Sequence, residues 1–364
     1  FERVVTGLVI ACPHALGLAI PLVTAISTTL AAKNGLLVRE RMALESARNI
    51  DVVLFDKTGT LTKGEQGVVD ILAKDKGRTL SLAAALERES EHPIAKAIFQ
   101  YAHGQNVPET HATDFSALSG RGVRAKAGGK MVYVGGPRLL EELKLKLDSE
   151  LQKAAEEAST DGKTVVYVVE DKTVLGAIML ADVIREESKE AVARLHDMGK
   201  RVAMLTGDSK GVAAWVAKEL GIKEYFAEVL PENKAETVKK LQADGSRVAM
   251  VGDGVNDAPA LTQANIGIAI GAGTDVAIES AGIVLASSDP RGVAKIVTLS
   301  KATYRKMLQN LAWATGYNAL AIPLAAGVTS GIGFVLSPAL GAVLMSLSTI
   351  IVAINAQFLR RIKL

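Results

Sequence analysis

The sequence predicts an α/β protein: a parallel-sheet domain, interrupted by an inserted α/β domain and joined to three transmembrane α-helices. Strands and their loops carry the first part. Asp51-Val-Val-Leu-Phe55, Val202-Ala-Met-Leu-Thr206 and Val248-Ala-Met-Val251 are apolar runs, each followed by a Gly/Asp loop and a helix-like segment. That repeat describes a parallel sheet with its site at the strand carboxyl ends. The insertion carries the second part. The stretch 73–180 has strands of its own (Lys130–Val134, Thr164–Val169) and helices (Leu82–Tyr101, Glu141–Glu157). Three long apolar runs carry the third.

The first apolar run, Val4–Ala32, has Cys12 and His14 as its only ionisable side chains. It exceeds the roughly 20 residues needed to cross a bilayer. Pro13 and Pro21 interrupt it; in lipid, a broken helix is tolerated where the freed carbonyls line a polar site or are buried. Residues 1–49 are therefore expected to form a transmembrane helix and its cytoplasmic link. Residues 50–72 and 181–298 should make the two parts of the sheet domain, 73–180 the insertion and 299–364 two further membrane helices. Leu311–Ala326 and Phe334–Phe358 contain no Lys, Arg, His, Asp or Glu, and the Gly-rich link 327–333 makes them a hairpin. Arg305 and Lys306 precede it and Arg360, Arg361 and Lys363 follow, so both ends are expected in the cytoplasm of a cell-membrane protein.

The composition agrees. The chain is 49% hydrophobic yet 22% charged, a mixture expected of membrane segments tied to a charged soluble part. A net charge of +3, without a basic stripe interleaved with aromatics, gives no footprint for nucleic acid. One cysteine, Cys12, excludes an intramolecular disulfide. No signal peptide is visible, and the chain starts almost at once in an apolar segment, as expected of a fragment.

A carboxylate at the end of a parallel strand can attack a phosphate in line and become an aspartyl-phosphate. Several carboxylates would repel the phosphate without a hard cation, and Mg²⁺ takes one or two carboxylates plus phosphate oxygens. Asp56 is the candidate nucleophile and Asp253 the magnesium ligand. Asp257 is placed to orient a ligand or water, Lys234 to neutralise charge, and Thr206 and Gly207 to donate to phosphate oxygens. In phosphatases of this general fold, the second residue after the nucleophile is commonly an Asp acting as acid/base. Here it is Thr58, which implies a longer-lived acyl-phosphate.

Asp56-Lys57-Thr58-Gly59-Thr60, Thr206-Gly207-Asp208 and Gly252-Asp253-Gly254-Val255-Asn256-Asp257 resemble, in order and spacing, the signature set of the P-type ATPases. The resemblance covers essentially the whole chain. It implies a haloacid-dehalogenase-like phosphorylation domain with an inserted nucleotide-binding domain. Lys57, Thr58, Asp208 and Asn256 join the catalytic set, and Asp56, Thr58 and Asp253 hold Mg²⁺. In the insert, Ser90-Glu91-His92-Pro93 and Gly120-Arg121-Gly122 are similar to the nucleotide domain of the heavy-metal branch. There the His and the two glycines meet the adenine end of ATP, and Glu87 and Glu91 fall in the same group by position. Where that branch often has an Asn after the last strand, this sequence has Gly135-Gly136-Pro137.

Cys12-Pro13-His14 lies mid-membrane. Thiolate selects soft metals and imidazole suits copper and zinc; ionisable groups at that depth are costly. Tyr317-Asn318 and Met345-Ser346-Leu347-Ser348-Thr349 sit in the other two apolar helices. Neither helix has an acidic residue to offset a divalent charge, which argues against zinc or cadmium. The combination resembles the copper/silver exporters of the CopB type. It implies Cu⁺ or Ag⁺, with Cu²⁺ open, held among Cys12, His14, Tyr317, Asn318, Met345 and Ser346. It also implies a copper chaperone as a partner. The Thr-Gly-Glu actuator loop such pumps need is not in these residues, so the chain is expected to be the C-terminal part of a longer pump. Rival readings are a soluble phosphatase of the haloacid-dehalogenase type, a metal sensor with an inert sheet domain, and a pump for zinc or potassium.

Overall fold

The computed structural model describes residues 2–10, 14–90, 92–271, 275–332 and 336–364. Its strands are β1 (Leu36–Val38), β2 (Val52–Asp56), β3 (Thr62–Ala73), β4 (Ala112–Leu118), β5 (Gly122–Ala127), β6 (Lys130–Gly135), β7 (Thr164–Glu170), β8 (Thr173–Ile184), β9 (Arg201–Leu205), β10 (Glu224–Phe226), β11 (Val248–Gly252), β12 (Ile266–Ile270) and β13 (Ile283–Leu285). The chain divides into two compact units, Phe1–Leu54 with Arg194–Arg201 and Lys234–Leu364, and Phe55–Ala193 with Val202–Asn233. Strand β2 is where the chain passes from the first to the second.

In the first unit the sheet order is β1-β13-β12-β11-β2. Strands β11, β12 and β13 pair in parallel, with Val251 opposite Ile268 and Ile268 opposite Ile283; β1 closes the edge antiparallel. Every residue of β2, β11 and β12 is buried. Strands without a polar face are what a parallel sheet covered on both sides requires.

The apolar segments of this unit are helical. The described parts of the first run are Glu2–Ile10, His14–Ala19 and Pro21–Lys33. The last break falls at Ile20, where Pro21 takes the first helical position and removes a backbone donor. Leu311–Ala326 is the end of one 36-residue helix, Arg291–Ala326, with Pro323 inside its last turn. Pro338–Gln357 is the final long helix. By length and composition, two described segments are long and apolar enough to cross a membrane, His14–Lys33 and Pro338–Arg361. Helix contacts are made by small clusters, Val23, Ile26, Met307, Ala356 and Leu359 in one and Ala15, Ala19, Ala314 and Val352 in another.

In the second unit β2, β9 and β10 are neighbouring strands, β9 and β10 in parallel. A separate six-stranded antiparallel sheet has the order β3-β8-β7-β6-β5-β4. Helices Lys76–Glu87 and Pro93–Gly104 cover one face through Leu80, Leu86, Ile98, Val132 and Ile178. Helices Pro137–Leu143 and Ser149–Thr160 cover the other through Leu140, Leu151, Tyr167 and Val169.

Both helices expected from the insert's periodicity are divided in two. The residue before a proline is pushed out of the helical region, and His92 accordingly has ψ 140°. At the second break Lys144 turns left-handed (φ 52°), and Asp148 restarts the helix by accepting from the Leu151 N–H. An apolar periodicity that continues across a short link hides such breaks.

Candidate functional site

Asp56 ends β2 and is 5% exposed. The chain then leaves the strand direction: Thr58 is extended (ψ 130°) and Gly59 has φ 76°. That left-handed turn is open to glycine at little cost. Thr58 is exposed, while Lys57 and Thr60 are buried. The Lys57 ammonium pairs with Asp208 at 2.6 Å and Asp182 at 3.1 Å. Burial works to lower its pKa, but the hydrogen bond to Asp208 and the charges of Asp182 and Asp208 outweigh it, and the net shift is upward.

The rest of this loop is fastened by residues that the motifs did not reveal. The Thr62 hydroxyl donates to Asp182 at 2.5 Å, and the Gly64 N–H donates to the other Asp182 oxygen. Arg185 donates to the carbonyls of Thr62 and Gly59, both at 3.1 Å, and the Ser188 hydroxyl to that of Leu61. Asp182 and Arg185 thus act as braces from the end of β8. Neither stands in a short motif: Asp182 lies within β8, two residues from its end, and Arg185 directly follows it.

At the end of β9, the Thr206 hydroxyl donates to the Asp208 carboxylate at 3.0 Å and accepts from the Asp208 N–H at 3.1 Å. The Thr206 N–H donates to the Phe226 carbonyl. Gly207 is exposed. Asp208 therefore joins Thr206 to Lys57, and two of the sequence motifs meet within the second unit.

In the first unit, Asp257 is 2% exposed at its side chain and accepts from Lys234 at 2.6 Å. Its second oxygen accepts the N–H groups of Asp253 and Gly254, each at 3.2 Å. A Cβ on Gly252 would stand 2.5 Å from that oxygen, so the loop closes over the carboxylate only with glycine there. Asp257 and Lys234 thereby hold the segment that presents Asp253. Asn256 is exposed.

The expected nucleotide residues lie in the six-stranded domain. Burial pushes the Glu87 carboxyl up to about 7, against a hydrogen bond with Ser90 that works to lower it. The folded chain then keeps a proton that the unfolded chain releases from pH 4.5 upward. Stability should fall as pH rises from there to about 7 and level off above it. Melting curves of wild type and Glu87→Gln across this range are expected to diverge, the variant gaining up to about 3 kcal/mol on the alkaline side. Parallel curves would refute the shift.

His92 caps Pro93–Gly104, its Nδ1 accepting the Ile94 N–H at 3.2 Å. Gly120 has open space where a side chain would be, and its left-handed φ of 70° is what glycine adopts at little cost. Gly122 has a different reason. A Cβ there would lie 2.0 Å from the Val134 carbonyl oxygen, and one on its strand partner Gly135 2.0 Å from that of Arg121. The pair lets β5 and β6 approach, which also accounts for glycine in the Gly135-Gly136-Pro137 loop. Glu91 lies outside the described residues.

Of the expected transport ligands, Cys12, with Pro13, lies outside the described residues. His14 opens its helix and is exposed. Tyr317, Asn318 and Met345 are half-buried. The Tyr317 hydroxyl is buried and without a partner among the described residues. Ser346 is exposed and donates to the Ala342 carbonyl of its own helix, whereas Ser348 is buried with its hydroxyl unpartnered among the described residues.

Residues 50–265 match the haloacid dehalogenase-like hydrolase family. The copper-exporting P-type ATPase B of Archaeoglobus fulgidus is 56% identical over 361 residues, 99% of this chain and 52% of that protein. A zinc-transporting PIB-type ATPase, whose crystal structure is in the E2.Pi state, is 36% identical with a TM-score of 0.80, over 96% of this chain and 56% of that one. The catalytic domain of the CPx-ATPase CopB-B is 30% identical with a TM-score of 0.51, over 74% of this chain and 98% of that one. The chain spans about half the length of the curated relatives it matches.

Proposed function

Because the chain belongs to the haloacid dehalogenase-like hydrolases and, among them, to the P-type ATPases, we propose that it drives export of a soft metal ion, copper or silver, through an aspartyl-phosphate on Asp56. The observation that carries this reading is the loop after Asp56, held from behind by Lys57, Asp182, Asp208 and Arg185 while Thr58 faces solvent.

An Asp56 carboxylate oxygen attacks the γ-phosphorus of ATP, the bond to the β-phosphate oxygen breaks and ADP leaves. Lys57 and Asp208 position the nucleophile's loop rather than meeting phosphate, since each is engaged with the other. With the Thr206 donors turned to Phe226 and Asp208, the Gly207 N–H is the donor of that pair assigned to a phosphate oxygen. Asp56, Thr58 and Asp253 are assigned as the residues that would hold Mg²⁺, to which they offer hard oxygen donors. Once bound, Mg²⁺ would offset the charge of the transferring group. Asp257 and Lys234 hold the Asp253 segment. Thr58 carries no acid/base group, which favours a phosphate that outlasts its formation. ATP is assigned to Glu87, Glu91, His92, Gly120 and Gly122.

For the cargo, the sulfur and imidazole donors of Cys12, His14 and Met345 and the lack of any carboxylate in the two C-terminal apolar segments support a monovalent soft ion. Tyr317, Asn318 and Ser346 complete the proposed set, and the buried Ser348 hydroxyl favours that serine as well. The protein is placed in the cell membrane with its sheet domains in the cytoplasm. An N-terminal part of the same pump carrying the actuator domain, and a copper chaperone, are the proposed partners.

ATPase activity of the full-length pump is expected to rise with Cu⁺ or Ag⁺ and not with Zn²⁺. Cys12→Ala and His14→Ala should remove most of the stimulation. Zinc stimulation that survives both substitutions would overturn the cargo assignment.

A further inference from the structure

Outside the phosphorylation and transport sites, the first unit holds a cavity of about 520 Å³ between the helices Pro21–Lys33, Arg41–Ser46 and Arg291–Ala326. Along the long helix its lining passes from Ser300, Thr303 and Tyr304 to Met307, Leu308 and Leu311, a rise of about 12 Å between Thr303 and Leu311. Arg48 lies over Tyr304, and Arg39 and Arg41 also line the cavity, with Glu45 the one acidic residue among its described lining. The apolar end at Leu311 is where the uncharged segment of that helix begins.

The arginines are steered but not exhausted. Arg41 donates to Glu45 at 2.8 Å and to the Thr24 hydroxyl at 3.0 Å. Arg48 donates to the Glu45 carbonyl and lies 3.8 Å over the Tyr304 ring. Arg39 donates to the Ile278 carbonyl. Each guanidinium carries five N–H groups, so donors remain for an anion. Thr303, 4% exposed and in the lining, keeps its hydroxyl without a partner among the described residues. An orphaned buried hydroxyl costs free energy unless something meets it.

We infer that this cavity seats one anionic phospholipid, its phosphate among Arg41, Arg48 and Thr303 and its first chain carbons along Ile20, Met307 and Leu311. A basic pocket at the cytoplasmic end of membrane helices is the chemistry that selects anionic headgroups. The apolar end distinguishes a lipid from a soluble phosphate, which would leave that surface wet. The inference rests on the membrane placement proposed above, not on which metal is carried.

The test uses the full-length pump, stripped of lipid in detergent and given phosphatidylglycerol or phosphatidylcholine before native mass spectrometry. One phosphatidylglycerol should be retained per pump, at least tenfold in preference to phosphatidylcholine. The paired substitution Arg41→Gln with Arg48→Gln should abolish that preference. Thr303→Val should weaken retention several-fold, and Leu311→Trp, which fills the apolar end, should displace the lipid with all arginines intact. Phosphoenzyme formation from ATP serves as the folding control for each variant. Equal retention of both lipids, unchanged retention in the arginine pair, or displacement by millimolar inorganic phosphate alone would each overturn the assignment. Metal-stimulated ATPase is measured beside it. Loss of stimulation with lipid retention intact would count against the transport reading alone.

Discussion

Protein incubated with γ-labelled ATP and Mg²⁺ is expected to acquire acid-stable, hydroxylamine-labile label, and Asp56→Asn to reduce it to background. The loss should be roughly a thousandfold or more, the scale seen when a nucleophile is removed from an otherwise intact site. An amide of the same shape keeps the end of β2 but lacks the anionic oxygen that forms the acyl-phosphate. Asp208→Asn is the informative companion. It weakens the pair with Lys57 without touching the nucleophile, so labelling should slow while remaining hydroxylamine-labile. Label that persisted in Asp56→Asn would move the phosphorylation site elsewhere and sink the proposed cycle.

The second large effect concerns stability. Lys234→Met should lower the stability of the chain by about 3–5 kcal/mol, because Asp257 is then a buried carboxylate without its ion-pair partner. The two N–H groups from Asp253 and Gly254 still meet its other oxygen, so the loop is weakened rather than erased. The double variant Lys234→Met with Asp257→Asn removes the uncompensated charge and should recover part of the loss. Denaturant unfolding of the four species completes the cycle. A single variant as stable as wild type would show that the pair contributes little, and that Asp257 takes its charge compensation from elsewhere.

Much of the fold was legible because its signals are local. Strands β2, β9 and β11 end in Gly/Asp loops, and a fully buried strand reads as an unbroken apolar run. The insert's helices were less legible, since apolar spacing runs on through Pro93 and past Lys144 while the backbone does not. In the phosphorylation loop, Asp56, Thr206 and Asp208 stand in short motifs. Asp182 and Arg185 do not: what identifies them is that β8 pairs with β3 across the whole insertion, placing Thr62 opposite Ile184. No periodicity carries that register. Gly122 was assigned a reason at the ligand, and its neighbours supply one within the sheet. From sequence Ser346 was chosen over Ser348, whereas the helix exposes Ser346 and buries Ser348.

The cap made by His92 settles a question of proton placement. A ring nitrogen that accepts from the Ile94 amide cannot itself bear hydrogen, so the imidazole is held as the tautomer protonated at Nε2. The outward edge of the ring is therefore a donor. The helix start that orders residues 93–104 thus also decides that any partner its own histidine meets must offer an acceptor.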